Sequence, residues 1–148
     1  MQLEFISTAG IITGVIGRFW PVWLAMLVVV GVSLFYKKKL GLYGQLYDNG
    51  VGIAGVLICL FWLFTAIFAW RVAPFDPLAQ IPIMKDALPG AVVPDGGGIY
   101  YFGADKLSRD VFSRMVHGSR IVLIIAPFAT MFAIMVGATL GLPAGDYG

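Results

Sequence analysis

The chain has 148 residues, of which 59% are hydrophobic and only 12% charged, and its mean hydropathy is +0.89. A soluble domain carries about a quarter charged residues, and one so poor in them would expose large apolar patches, so the expected solvent is lipid. The net charge of +2 and the lack of a basic tract interleaved with aromatics exclude a nucleic-acid binder. The single cysteine, Cys59, excludes an internal disulfide framework or a CxxC metal or redox site, and within its apolar run it reads as a small buried hydrophobe.

The sequence predicts an all-α integral membrane protein with three transmembrane helices. The first uncharged run, Phe19 to Tyr36, is followed at once by Lys37, Lys38 and Lys39; at 1.5 Å per residue it spans about 27 Å, close to the hydrocarbon thickness. The start of the chain holds Glu4 where a cleaved signal peptide would be basic, so the run reads as a retained anchor. The second run, Val51 to Trp70, has no charge and is rich in Leu, Ile, Phe and Trp, a strong spanning pattern. Between them the segment from Lys37 to Gly50 has three lysines against one acid, Asp48, which puts it in the cytoplasm and the segment from Arg71 to Arg120 outside.

That external segment divides in two. Residues Ala73 to Gly98 contain Pro74, Pro77, Pro82, Pro89 and Pro94 and end in Gly96, Gly97 and Gly98, a composition that forbids long helices and predicts a pinned, turning loop. Leu107 to Ser119 reads as an amphipathic helix lying on the membrane surface, with Ser108 as its N-cap. Its apolar face is Leu107, Val111, Phe112, Met115 and Val116, and its polar face is Arg109, Asp110, Ser113, Arg114 and His117. Asp110 and Arg114 have the i, i+4 spacing of an ion pair.

The third run, Ile121 to Leu142, has Thr130 and Thr139 as its polar side chains. It carries a ladder of small residues, Ala129, Ala133, Gly137 and Gly141, each four positions after the last. Such a stripe lets helix backbones approach closely in lipid. Pro127 is expected to kink the outer part of this helix.

The chemistry of catalysis is not visible. The triple glycine lacks a following Lys-Ser or Lys-Thr, so it is not a phosphate-binding loop. The lone His117 has no ligand partner at metal spacing and reads as a solvated side chain. No paired carboxylates or activated nucleophile appear. No catalytic, cofactor-binding or metal residues are expected, and no polar cluster marks a substrate site.

The stretch Gly103-Ala-Asp-Lys-Leu-Ser-Arg-Asp-Val-Phe-Ser-Arg-Met-Val-His-Gly-Ser-Arg-Ile121 resembles a signature of the inner-membrane permease subunits of ABC importers for dipeptides, oligopeptides and nickel. Ala104 stands where that pattern usually has Thr, and Ser108 where it usually has Gly. Ala73-Pro-Phe-Asp-Pro77 resembles the family's Ala-Pro-Tyr-Asp-Pro after its first core helix, and Gly141-Leu-Pro-Ala-Gly-Asp-Tyr-Gly148 resembles the end of its second. The resemblance covers Val51 to Gly148. It implies a multi-pass protein of the bacterial inner membrane that moves peptides or similar small solutes. It also implies a transport subunit with no ATPase site of its own, no cofactor, and no nucleic-acid partner. Its partners would be a second permease subunit, two cytoplasmic ATPase subunits, a periplasmic substrate-binding protein and membrane lipid.

Three regions are therefore expected. Residues 1–50 form an N-terminal extension with an added transmembrane helix at 19–36 and a basic cytoplasmic loop. Residues 51–120 form the first core transmembrane helix, at 51–70, with the periplasmic loop and interfacial helix, and residues 121–148 open the permease domain with a helix at 121–142. Family members continue through further helices and an ATPase-docking loop, so the chain reads as a truncated or partial permease. The alternative is a non-transporting membrane scaffold or assembly protein derived from one.

Overall fold

The structure is a computed structural model and describes residues 3–36 and 49–146. The lysine-rich segment used to orient the chain, and the last two residues of the Gly141 to Gly148 motif, lie outside the described residues. Helix α1, Thr8–Arg18, is opened by Ser7, whose side chain accepts the Gly10 N–H at 3.2 Å. Helix α2, Trp20–Phe35, follows after a bend of 50°. Pro21 in its first turn has no N–H to bond back into α1, and a proline is accommodated at a helix start where it would break a helix interior. Trp23 stitches the bend by donating its indole N–H to the Ile16 carbonyl at 3.3 Å.

The expected first span is thus a bent helix pair. Only when α1 and α2 are taken together is it apolar and long enough to cross a membrane, and the 16 residues of α2 reach just about 24 Å. Helix α3, Gly50–Ile67, is a candidate span in its own right. It stops at Phe68, and a short helix α4, Ala69–Val72, completes the turn. Helix α5, Val111–Asp146, is the other candidate span, 36 residues long. The surface helix and third span expected as separate elements are therefore one continuous helix, which runs through Pro127. A turn between them would have orphaned backbone groups near the bilayer, whereas a single helix satisfies each in turn.

Between α4 and α5 the chain folds into a small cap that is not all helical. Strands β1, Ala91–Val93, and β2, Gly98–Tyr100, form an antiparallel hairpin in register Ala91 to Tyr100 and Val93 to Gly98. The triple glycine lies at this hairpin: Gly96 and Gly98 adopt φ of +72° and +118°, values open to glycine because it has no Cβ. The N-terminal segment adds to the outer edge of β1, through Ile6 N–H to the Gly90 carbonyl at 3.0 Å and Val92 N–H to the Glu4 carbonyl at 2.8 Å.

Two apolar clusters hold this arrangement. Met84, Ala87, Ala91, Val93 and Tyr100 pack beneath the hairpin. Phe19, Val22, Met26, Ala69, Val72, Tyr101, Phe112 and Val116 form the other, so both sides of the α1–α2 bend, the end of α3 and the base of α5 share one core. Phe112 is fully buried and meets the rings of Phe19, Tyr101 and Phe102 at 6.1, 5.6 and 5.2 Å, all edge-on, the favoured geometry for aromatic pairs. Replacing Phe112 by Ala is expected to lower stability by about 3–5 kcal/mol, read as a drop in the melting temperature of the purified protein in lipid nanodiscs.

Candidate functional site

Two of the three motifs that carry the family resemblance converge on the junction between cap and α5. Gly103 opens the signature at φ +76°, and a Cβ placed there would lie 2.4 Å from the Ala87 carbonyl oxygen. Only glycine lets the two backbones pass. The chain then loops so that Ala104 pairs with Asp110 in an isolated antiparallel bridge, and Val111 N–H returns to the Gly103 carbonyl at 3.2 Å.

Asp105 organises that loop. Its Oδ1 accepts the backbone N–H of Leu107 at 2.9 Å and of Arg109 at 3.0 Å, while Oδ2 accepts Arg109 Nε at 2.9 Å and Arg114 Nη1 at 2.6 Å. The Arg109 backbone N–H, followed by its guanidinium and the Leu107 N–H, outweighs partial desolvation and holds the Asp105 carboxyl down to about 2. Arg114 thus pairs with Asp105 and not with Asp110, as the i, i+4 spacing had suggested. Asp110 is buried and faces inward, out of reach of a surface partner.

Asp110, not Ser108, is the N-cap of α5. Its Oδ2 accepts Ser113 N–H at 2.9 Å and the Ser113 hydroxyl at 2.6 Å, the capping geometry that satisfies a first-turn donor. Burial raises its pKa, against the pull of the Ser113 bonds and the positive charge of Arg18. Ser108 cannot cap because it holds φ +62°, a left-handed conformation in which it presents its carbonyl to Ile81 N–H and the Tyr100 hydroxyl, each at 3.2 Å. The Tyr100 hydroxyl is itself raised in pKa, first by burial and then by the charges of Asp110 and Asp105.

The Ser113 hydroxyl also accepts the Phe75 N–H at 3.1 Å. Phe75 lies in the Ala73 to Pro77 motif, so two motifs 38 residues apart are joined at one oxygen. The adjoining Asp76 closes its own turn by accepting Leu78 N–H at 2.8 Å. Sequence reasoning did not foresee this link, although both partners stood in quoted motifs.

The faces of the helix also differ from expectation. Ser113 and Ser119 are buried beside Phe112 and Val116, whereas Leu107 and Met115 are exposed, because the cap covers α5 from the Ser113 side. His117 is half-buried, its Nδ1 3.0 Å from the Ser113 carbonyl and its ring edge-on to Trp70 at 4.7 Å. Its Nε2 is buried without a hydrogen-bond partner among the described residues, so the expected solvated histidine is instead packed under an indole. Arg120 stacks its guanidinium over the same indole at 5.7 Å. Cys59 is exposed on α3 and not buried, as suits an apolar side chain facing lipid. Among the described residues no group of three His, Cys, Asp or Glu side chains could hold a metal ion.

Two outcomes follow from this geometry. The folded-state pKa of Asp105 lies below the ordinary 3.8, so its contribution to stability is complete above that value and is lost as pH falls toward about 2. Melting temperature measured from pH 5 to pH 2 is expected to fall less steeply in Asp105→Asn than in the parent. Replacing Ser108 by Gly removes the left-handed strain and should raise stability by about 1 kcal/mol, a gain of a few degrees on the same melt.

No family model matches the chain, and no solved structure does. Several curated proteins do. Over 116 residues it is 35% identical to the di/tripeptide transport system permease protein DppC of Pseudomonas aeruginosa, covering 76% of this chain and 37% of that protein. It is 34% identical over 106 residues to the dipeptide transport system permease protein DppC of Alkalihalophilus pseudofirmus, covering 72% and 33%. It is 31% identical over 98 residues to the peptide transport system permease protein SapC of Haemophilus influenzae, covering 66% and 33%. The chain therefore spans about a third of the length of these relatives. The first match covers more of the chain than Val51 to Gly148 contains, so similarity reaches upstream of Val51. That similarity, with two of the three motifs drawn together at the base of α5, places the chain in the permease family of peptide-type ABC importers.

Proposed function

We propose that the chain works in the bacterial inner membrane as a permease component of an ABC importer for peptides or similar small solutes. The observation that carries this reading is the joining of the two signature motifs at Ser113, in a chain similar to peptide permeases over 76% of its length. The cap between α4 and α5 faces the periplasm, where a substrate-binding protein would deliver solute, and the segment between α2 and α3 faces the cytoplasm. ATP is hydrolysed by separate ATPase subunits, so the chain itself is a transport subunit and not an enzyme.

The exposed side chains of α5 support the need for a second permease subunit. From Ile121 to Leu140 its apolar residues include Phe128, Phe132, Ile134 and Leu140, each 66–71% exposed. The stripe of Ala129, Ala133, Gly137 and Gly141 lies along an exposed helix, and nothing stands within 4 Å of a Cβ built at Gly137 or Gly141. Lipid can cover such a surface, but a small-residue stripe gains most from a helix packed on it. The small residues thereby support a helix packed against α5.

Affinity-tagged chain purified from its native membrane in mild detergent is expected to bring down a second permease subunit. Deleting the chain is expected to reduce uptake of a labelled dipeptide. Replacing Gly137 by Leu should weaken the association, since a branched side chain holds the helices apart. Unchanged uptake in the deletion strain, together with no co-purifying permease, would overturn the proposal in favour of the scaffold.

A further inference from the structure

The N-terminal helix pair and the base of α5 meet at one aromatic contact. Phe19, at the bend, lies 5.3 Å from Phe61 and meets Phe112 edge-on at 6.1 Å. Its ring is buried in the same cluster as Val22, Met26 and Val116, so the bend is fixed against α5 by apolar packing. Charged residues flank this contact on both sides. Arg18 is the last residue of α1 and immediately precedes Phe19, while Asp110 caps α5 two residues before Phe112.

The state of Asp110 is unusual. It is wholly buried, and both of its side-chain hydrogen bonds fall on Oδ2. Oδ1 is buried with no hydrogen-bond partner among the described residues. A buried carboxylate with one bare oxygen is costly unless a counter-charge stands by. Arg109 and Arg114, the basic residues nearest in sequence, are both engaged by Asp105 at 2.8 and 2.6 Å. The Tyr100 hydroxyl, which also feels the Asp110 charge, spends its proton on the Ser108 carbonyl. Burial pushes the Asp110 pKa up; the Ser113 and Phe112 donors oppose it, and the positive charge of Arg18, at the far side of the Phe19–Phe112 contact, adds a smaller pull toward the ionised form.

We propose that Arg18 and Asp110 form a charge latch that fastens the α1–α2 bend to the base of α5, with Arg18 closing on the bare Oδ1 oxygen. The aromatic contact sets the register of the two elements, and the charge pair gives them a connection that can open. With the latch shut, the N-terminal helix pair, the cap and α5 move as one body. When either charge is removed, α1 is free to lift from the cap while Phe19 stays packed. The latch is read from geometry that does not depend on which solute the protein handles, or on whether it transports at all.

The test uses the full chain in lipid nanodiscs and reads hydrogen exchange of the α1 backbone amides by mass spectrometry. Arg18→Met keeps the apolar stem and removes the charge, and it should speed α1 exchange roughly tenfold; Arg18→Lys should restore most of the protection. Asp110→Asn keeps the shape of the cap without its charge, so adding Arg18→Met to it should change α1 exchange little further, the non-additivity expected of interacting partners. Exchange in α1 that is the same for Arg18→Met and the parent would overturn the latch. So would an equal effect of Arg18→Met with and without Asp110→Asn. If the Asp110 variant does not fold, the contrast between Arg18→Met and Arg18→Lys decides alone, since a purely steric role for the stem would leave the two alike.

Discussion

The Ser113 hydroxyl gives its proton to Asp110 at 2.6 Å and takes the Phe75 N–H at 3.1 Å, and the geometry of the cap depends on that oxygen. A hydroxyl both donates and accepts, so it can join a buried carboxylate to a half-buried backbone amide. Alanine would leave the Phe75 N–H without a partner and Asp110 with the residue-113 backbone N–H alone, at the cost that unmade hydrogen bonds carry. Because Ser113 sits in the first turn of α5, the bond also fixes where the long helix begins. Phe75 in turn lays its ring edge-on to Tyr100 at 4.9 Å, and Tyr100 reaches the Ser108 carbonyl. Motif, hairpin and helix start are thereby a single connected network.

Within that network two carboxylates five residues apart have opposite fates. Asp105 lies near the surface, collects donors from Leu107, Arg109 and Arg114, and is held ionised at low pH. Asp110 lies inside with donors on one oxygen alone, and burial pushes its pKa up. The signature needs both because they perform different tasks. The first folds the loop that carries Ser108 into its left-handed turn, and the second terminates that loop by starting a helix. Exchanging their surroundings would leave the helix uncapped and a charge stranded in the core.

The spanning regions were legible in the sequence because lipid demands long runs without charge, and those runs locate α3 and α5. What a run of hydropathy does not contain is where a helix bends or fails to break. Pro21 lies inside the first uncharged run, yet its effect depends on α1 already being helical up to Arg18, a stretch with a weaker apolar pattern. The junction at Ser119 and Arg120 was read as a turn because polarity changes there. The structure shows that polarity can change along one helix when its lower part is covered by a cap and not by lipid. The faces of that helix were misassigned for a related reason. Periodicity finds an apolar stripe, but the cap buries Ser113 and Asp110 for their hydrogen bonds, and a polar residue that is wanted inside leaves no periodic signal. The resemblance carried a hint that went unused: a position where relatives usually have Gly is one where φ turns positive, and Ser108 holds such a φ.

The continuity of α5 has a mechanical consequence. A 36-residue helix is about 54 Å long, enough to extend well beyond the hydrocarbon region at one end, and its base is pinned at Asp110, Phe112, Ser113 and Val116, which are all buried. A helix that is anchored in a packed cap and bare along its membrane length transmits a tilt imposed by a neighbour to the cap, since the cylinder between them is continuous apart from the one bond that Pro127 cannot make. Arg120 over Trp70 and His117 against the same ring tie that lever to α4 at the level where the apolar run begins. Motion of α5 therefore has to carry α4, the cap and the bend at Phe19 with it, and the first place able to yield outside this rigid path is the break at Phe68.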